Sequence, residues 1–130
     1  MISFRFPRGE KLKSQKLIEL LFQRGRKLTC PPLRLIYLST PIPGKAPVQV
    51  AFAVPSKVFR RAVDRNRIKR LMRECYRLKK AGVFNNIGGD FAFLFLYIGK
   101  EMPTFKEIDR SMQALLTKFP ERTNDEENIE

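Results

Sequence analysis

RNRIKRLMRECYR, residues 65–77, sets Ile68, Leu71, Met72, Cys75 and Tyr76 at i, i+3, i+4, i+7 and i+8. That spacing brings apolar side chains onto one face of an α-helix for burial. At 100° per residue the face turned away from this stripe gathers Asn66, Arg70, Arg73 and Arg77, with Lys69 and Arg67 at its flanks. Only Glu74 interrupts the positive charge. Solvated helix faces usually mix signs at i, i+4, because like charges at that spacing cost about 0.2–0.5 kcal/mol per pair. A face built this way is stabilised by an external anion. Arginine is favoured over lysine here, and its planar fork makes two parallel bonds to phosphate oxygens where an ammonium offers a point charge. The pattern points to a nucleic acid.

Upstream, Lys57, Arg60 and Arg61 lead through Ala62-Val63 into this helix. Before them Val48, Val50, Phe52 and Val54 alternate with Gln49, Ala51 and Ala53, so a strand is expected over 48–54, closed by Pro55. An earlier strand is expected at 33–38, followed by a turn through Pro41-Ile42-Pro43-Gly44. Ser14 is a candidate N-cap for a first helix reaching Arg24, with Gly25 as its stop. Residues 1–13 form a basic, irregular entry containing Arg5, Arg8, Lys11 and Lys13.

Downstream, the basic helix is expected to fade near Lys80-Ala81-Gly82, with Asn85-Asn86 and Gly88-Gly89 in a loop. The run 91–98, FAFLFLYI, is apolar on both faces and reads as a central strand. Pro103-Thr104 introduces a last helix, with Thr104 and Glu107 spaced as a capping box and Phe105, Ile108, Met112, Leu115, Leu116 and Phe119 at helical intervals. The segment 120–130 is acidic and is expected to be disordered, either a solubilising tail or a weak cover for the basic face. The element order predicts an α/β (α+β) two-layer sandwich. A small sheet carries the helices, and the basic helix joins two strands that can lie parallel in a split βαβ arrangement.

The 130 residues fit one domain with a core that needs no metal or disulfide staple, residues 1–119, followed by the tail. A net charge of +13 exceeds what solubility requires and marks a polyanion partner. An anionic membrane is the competing polyanion. Against it, no apolar run is long enough to span a bilayer, and Met1-Ile2-Ser3 opens neither a signal peptide nor a myristoylation site. Cys30 and Cys75 read as reduced thiols of a cytoplasmic protein. With two cysteines and no histidine, a Cys/His zinc site cannot be completed within the chain, and the commonest general acid/base is missing. Asp64, Glu74, Asp90 and Asp109 stand singly, whereas a two-metal hydrolytic site needs clustered carboxylates. A ribosomal or assembly RNA-binding protein and a helix-in-groove DNA binder are the other readings of such a chain, although no short helix and turn precedes the basic helix as helix-turn-helix geometry requires.

Residues 54–74, VPSKVFRRAVDRNRIKRLMRE, resemble the signature of the protein component of bacterial ribonuclease P. The resemblance extends over about residues 4–119, including LFQRG at 21–25, Asp90 opening an apolar strand, and SMQALL at 111–116. It implies a central sheet of about four strands, one more than the pattern reveals, and a left-handed crossover around the Arg-Asn-Arg helix, against the usual rule. It also implies a protein subunit with no catalytic residue of its own and no activity alone. Its partner RNA hydrolyses precursor tRNA to remove the 5′ leader, with Mg²⁺ bound chiefly by that RNA and no small-molecule cofactor.

Two surfaces carry over from the resemblance. Lys57, Arg60, Arg61, Arg65, Asn66, Arg67, Lys69, Arg70, Arg73 and Arg77 would contact RNA. Arg65 lies nearer the apolar edge, where it can instead anchor the helix to a backbone carbonyl, and Asn66 can brace local backbone. The second surface is a cleft for the leader between the first helix and the sheet, lined by Ile18, Phe22 and one of Ile36 or Tyr37. The family uses aromatic side chains there, and stacking on such rings binds bases with little sequence preference. Ile18 departs from the family's usual aromatic residue and Ser56 from one of its paired lysines. For Phe22 an ordinary place in the core is the alternative.

Overall fold

The computed structural model describes residues 11–40, 48–86 and 90–128, with side chains described at 11–40, 48–80 and 90–119. The expected turn at 41–44, Gly88-Gly89 and the basic residues Arg5 and Arg8 lie outside the described residues.

α1 (Gln15–Arg24) starts where Ser14 Oγ accepts the Leu17 N–H at 3.3 Å, the expected cap. It ends at Gly25 for a reason other than a left-handed turn, since φ there is −65°. A Cβ at residue 25 would fall against the Leu21 carbonyl oxygen and 2.6 Å from Ile36 Cγ2. The helix end thus sits directly on the sheet, and alanine at this position forces backbone and side chain apart, at a cost of about 1–3 kcal/mol. The chain then enters β1 (Arg26–Cys30) at once. This strand escaped the sequence reading because it is short, polar and an edge, with charged residues at its start where strands avoid stray pairing.

The tight Pro31-Pro32 turn, with a cis peptide between the prolines, leads to β2 (Leu33–Ser39), and β3 (Val48–Ala53) follows. The Pro31 carbonyl accepts from Ser111 Oγ at 2.8 Å and the Pro32 carbonyl from the Ile98 N–H at 2.8 Å.

α2 (Ala62–Asn86) extends past its expected end, and Asn85-Asn86 belong to the helix. The continuation follows from packing against the last helix: Lys80 is buried, and Lys79 Nζ pairs with Asp109 at 3.0 Å. β4 (Phe91–Tyr97) is then the central strand the sequence predicts. α3 (Phe105–Asn128) opens with the Glu107 N–H donating to Thr104 Oγ1 at 3.2 Å, the threonine half of the capping box. Its backbone stays helical through 120–128, where the sequence predicts disorder. Extending a helix that is already nucleated and packed costs far less than starting one.

The sheet order is β1-β2-β4-β3, with β1–β2 and β2–β4 antiparallel and β3–β4 parallel. β3 and β4, which α2 joins, are direct neighbours, so the βαβ unit is not split by an intervening strand. One sheet face carries Leu33, Leu35, Tyr37, Val50, Phe93 and Phe95 into a core with Ile68, Met72, Cys75 and Tyr76 of α2 and Ile108, Met112 and Phe119 of α3. The other face sends Ile36, Ala92 and Leu94 against Leu17, Ile18 and Leu21 of α1. The α/β sandwich is present, and the short α1 adds a partial third layer on the opposite face.

Both thiols are free. Burial, reinforced by the Asp109 carboxylate, pushes Cys75 from an ordinary 9.0 up to about 12. The folded state holds this proton more tightly than the unfolded chain, so the associated stability is complete below about pH 9 and is lost as pH climbs towards 12. Since the thiolate is the nucleophile, Cys75 should resist alkylation at pH 8 until denaturant is added, while the half-buried Cys30 reacts first. Mass-resolved labelling with iodoacetamide checks the order. Prompt native labelling of Cys75 would contradict its burial.

Candidate nucleic-acid interface

The periodicity of α2 places Ile68, Met72, Cys75 and Tyr76 at 0% exposure beneath the helix. Asn66, Arg67, Arg70 and Arg73 are consequently exposed on the other side, with Lys69 half-buried at the flank. No carboxylate among the described residues pairs with Arg67, Arg70 or Arg73. Their charges face solvent uncompensated, one helical turn apart.

Two members of the motif are held by protein instead. Arg65 Nη1 donates to the Phe59 carbonyl at 2.8 Å and to the Arg60 carbonyl at 2.8 Å. It ties the 55–61 segment to the first turn of α2, the anchoring role open to it from its place on the wheel. That segment presents Lys57, Arg60 and Arg61, all exposed, beside the helix start. Arg61 approaches Asp64 at 4.0 Å, an exposed contact of little weight. Arg77 is half-buried, and its guanidinium grips Glu74 with two donors, Nε at 3.2 Å from Oε2 and Nη2 on Oε1. That hydrogen bond holds Glu74 below the usual carboxylate range and raises Arg77. Glu74 therefore spends its charge on Arg77 and leaves the rest of the face cationic.

On the opposite side of the sheet, α1 lies over β2 and β4. Phe22 is 53% exposed, which rules out the core reading, and Ile18, one turn earlier, packs half-buried against the Ile36–Leu94 cluster. Adjacent strand residues point to opposite faces. Ile36 is thus the β2 residue on the α1 side, at 2% exposure, whereas Tyr37 belongs to the α2/α3 core. The Tyr37 ring meets Phe119 edge-on at 5.0 Å. The sequence left this pair undecided, and register resolves it: Tyr37 is not a cleft residue.

Among the described residues no three Asp, Glu, Cys or His side chains gather to hold a metal ion, and no helix is long and apolar enough to cross a membrane. The arrangement offers a cationic helix on one face and a partly covered sheet with an exposed aromatic ring on the other. Sequence reading passed over the strand β1 and the polar residues that it shares with β2 on the α1 side, Thr29 and Arg34.

Solved structures share this architecture. The RNase P protein of Staphylococcus aureus superposes with a TM-score of 0.67 at 16% identity, covering 83% of this chain and 93% of that one. The RNase P protein of Thermotoga maritima gives 0.67 at 22% identity, covering 85% and 97%. Sequence relatives named ribonuclease P protein component are closer. The one from Chlorobaculum tepidum is 38% identical over 95% of this chain and 91% of its own length. The one from Porphyromonas gingivalis is 32% identical over 90% and 88%. The family model described as Ribonuclease P matches residues 6–120, from before α1 to the last turns of the packed part of α3. With the cationic helix, the sheet and the length of the match in agreement, this chain belongs to the ribonuclease P protein family.

Proposed function

We infer that this protein is the protein subunit of ribonuclease P, and that it promotes endonucleolytic removal of the 5′ leader from precursor tRNA by a holoenzyme whose catalytic centre is RNA. The observation that carries the reading is the unpaired cationic face of α2, where Arg67, Arg70 and Arg73 stand exposed with no carboxylate neighbour among the described residues. In this reading the face, with Lys57 and Arg60 beside it, binds phosphates of the RNA subunit, and each contact releases condensed counterions. Arg65 acts by holding the approach segment in place. The surface beside α1 receives the leader, with Phe22 as the exposed stacking ring. Mg²⁺ is bound chiefly by the RNA's phosphates, and the complex works in the cytoplasm.

The deciding experiment is 5′ processing of a precursor tRNA at low, near-physiological magnesium, with this protein alone, a cognate ribonuclease P RNA alone, and both together. Cleavage with both present, well above RNA alone, supports the subunit role. No stimulation would return the protein to the class of assembly RNA-binding proteins, and cleavage by protein alone would overturn the division of labour.

Phe22→Ala should leave assembly with the RNA unchanged and weaken binding of leader-bearing precursor, relative to mature tRNA, by about 1–3 kcal/mol, the worth of one stacked base. Competition binding of the two tRNAs to the holoenzyme reads the difference. Equal loss for both would remove Phe22 from the leader site.

A further inference from the structure

The sheet face beneath α1 resolves into cross-strand rows. Leu38, Ala92 and Gln49 make one, Lys27, Ile36, Leu94 and Ala51 the next, with Lys27 exposed at the β1 edge, and Thr29, Arg34, Leu96 and Ala53 a third. At one end of α1 the Leu12 N–H donates to the Val50 carbonyl at 2.9 Å on β3, and at the other Gly25 rests on Ile36 of β2. The helix therefore crosses the first two rows. Their central residues show it, with Ala92 at 0% exposure and Ile36 and Leu94 at 2%. In the third row Arg34, Leu96 and Ala53 are only half-buried and Thr29 is exposed, so the helix's cover stops short of it.

Arg34 is the charged residue of that open row. Its Nε donates to Thr29 Oγ1 at 3.1 Å across the β1–β2 ladder, which aims the guanidinium and leaves its terminal N–H donors without a partner among the described residues. None of the four strands contains Asp or Glu. A guanidinium on a partly apolar sheet face with no carboxylate gains most from an external anion, and a phosphate suits its fork geometry. Two strand spacings away, roughly 10 Å, Ala53 closes the row. The row thus has Leu96 and Ala53 as an apolar floor with Arg34 at one side.

We propose that this open row is a phosphate-gripping subsite in which Arg34, aimed by Thr29, binds the backbone of the single-stranded 5′ leader as it passes beside α1. The proposal rests on the reading of the protein as a ribonuclease P subunit. It adds a contact by which leader length and charge, and not base identity, set affinity.

The test measures binding of holoenzyme, assembled with cognate RNA, to mature tRNA and to precursors whose leaders grow one nucleotide at a time. With wild-type protein, affinity should rise with leader length. Arg34→Gln should remove one step of that rise, a loss of about three- to tenfold, and lower the salt slope for long-leader precursor by about 0.7, the value for one single-strand phosphate contact. Mature tRNA binding, assembly with the RNA subunit and thermal stability should not change. Thr29→Val, which keeps the β-branched shape and removes the hydroxyl, should give a smaller loss at the same leader length. An Arg34→Gln curve that matches wild type at every length overturns the subsite alone. A loss that appears in assembly overturns it in favour of a contact with the RNA subunit. A wild-type protein that never favours leader-bearing precursor brings down the underlying reading instead.

Discussion

Replacing Arg67, Arg70 and Arg73 together by alanine is expected to weaken assembly with the catalytic RNA by on the order of a thousandfold at moderate salt. Three charge-assisted contacts at the lower end of about 1.5–3 kcal/mol each account for that figure. The more diagnostic change is in salt dependence. Each lost duplex phosphate contact should lower the slope of log K against log salt by about 0.9, for a total approaching 2.7. The fold should not suffer, because all three side chains are exposed and the residues that seat α2 lie on its other face. Removing like charges three residues apart should even relieve the helix by a few tenths of a kcal/mol. Filter binding across a salt series, paired with thermal melts, separates these effects. An unchanged slope with weakened binding would mean that this face acts on the RNA indirectly, and a large drop in melting temperature would mean that it supports the fold.

Tyr37→Ala should produce the opposite profile. Tyr37 is 2% exposed and packs edge-on against Phe119 at 5.0 Å, with Phe91 6.5 Å away. Phe119 in turn meets Phe93 at 4.9 Å and Phe91 at 5.2 Å, so the ring is one wall of the cluster that fastens α3 to the sheet. Emptying such a site costs about 3–5 kcal/mol, a large share of the roughly 5–15 kcal/mol that holds a domain folded. Urea unfolding should show that loss, while the ratio of leader-bearing to mature tRNA affinity, measured on the fraction still folded, stays at the wild-type value. If the ratio falls while stability holds, Tyr37 belongs to the leader surface and the strand parity described above is wrong. Ile36, one residue away and facing α1, supplies the contrast.

Much of the fold was legible because its signals are periodic. The stripe of Ile68, Met72, Cys75 and Tyr76 defined both the buried and the cationic side of α2, and the two-sided apolar run of β4 marked a central strand before any pairing was known. Ser14, Thr104 and Gly25 marked helix ends by residue type. The misses have equally local causes. β1 carries charge and lies at an edge, so neither alternation nor hydrophobicity announced it. The later turns of α2 depend on contacts made by Lys79 and Lys80, residues that on their own look like the polar end of a helix.

The sequence by itself determined the α/β class and the cationic helix, because charge and period are properties of neighbouring residues and survive without a fold. Only the tertiary structure decided which cations remain available. Arg65 shares a motif with Arg67, Arg70 and Arg73, yet it is tied to the carbonyls of Phe59 and Arg60 in the segment that precedes the helix. It also decided which of Ile36 and Tyr37 faces α1, a choice that hangs on a register shift of one residue. The open row of Arg34 likewise exists only because α1 crosses the sheet where Leu12 and Gly25 pin it, and those contacts join segments that no local pattern connects.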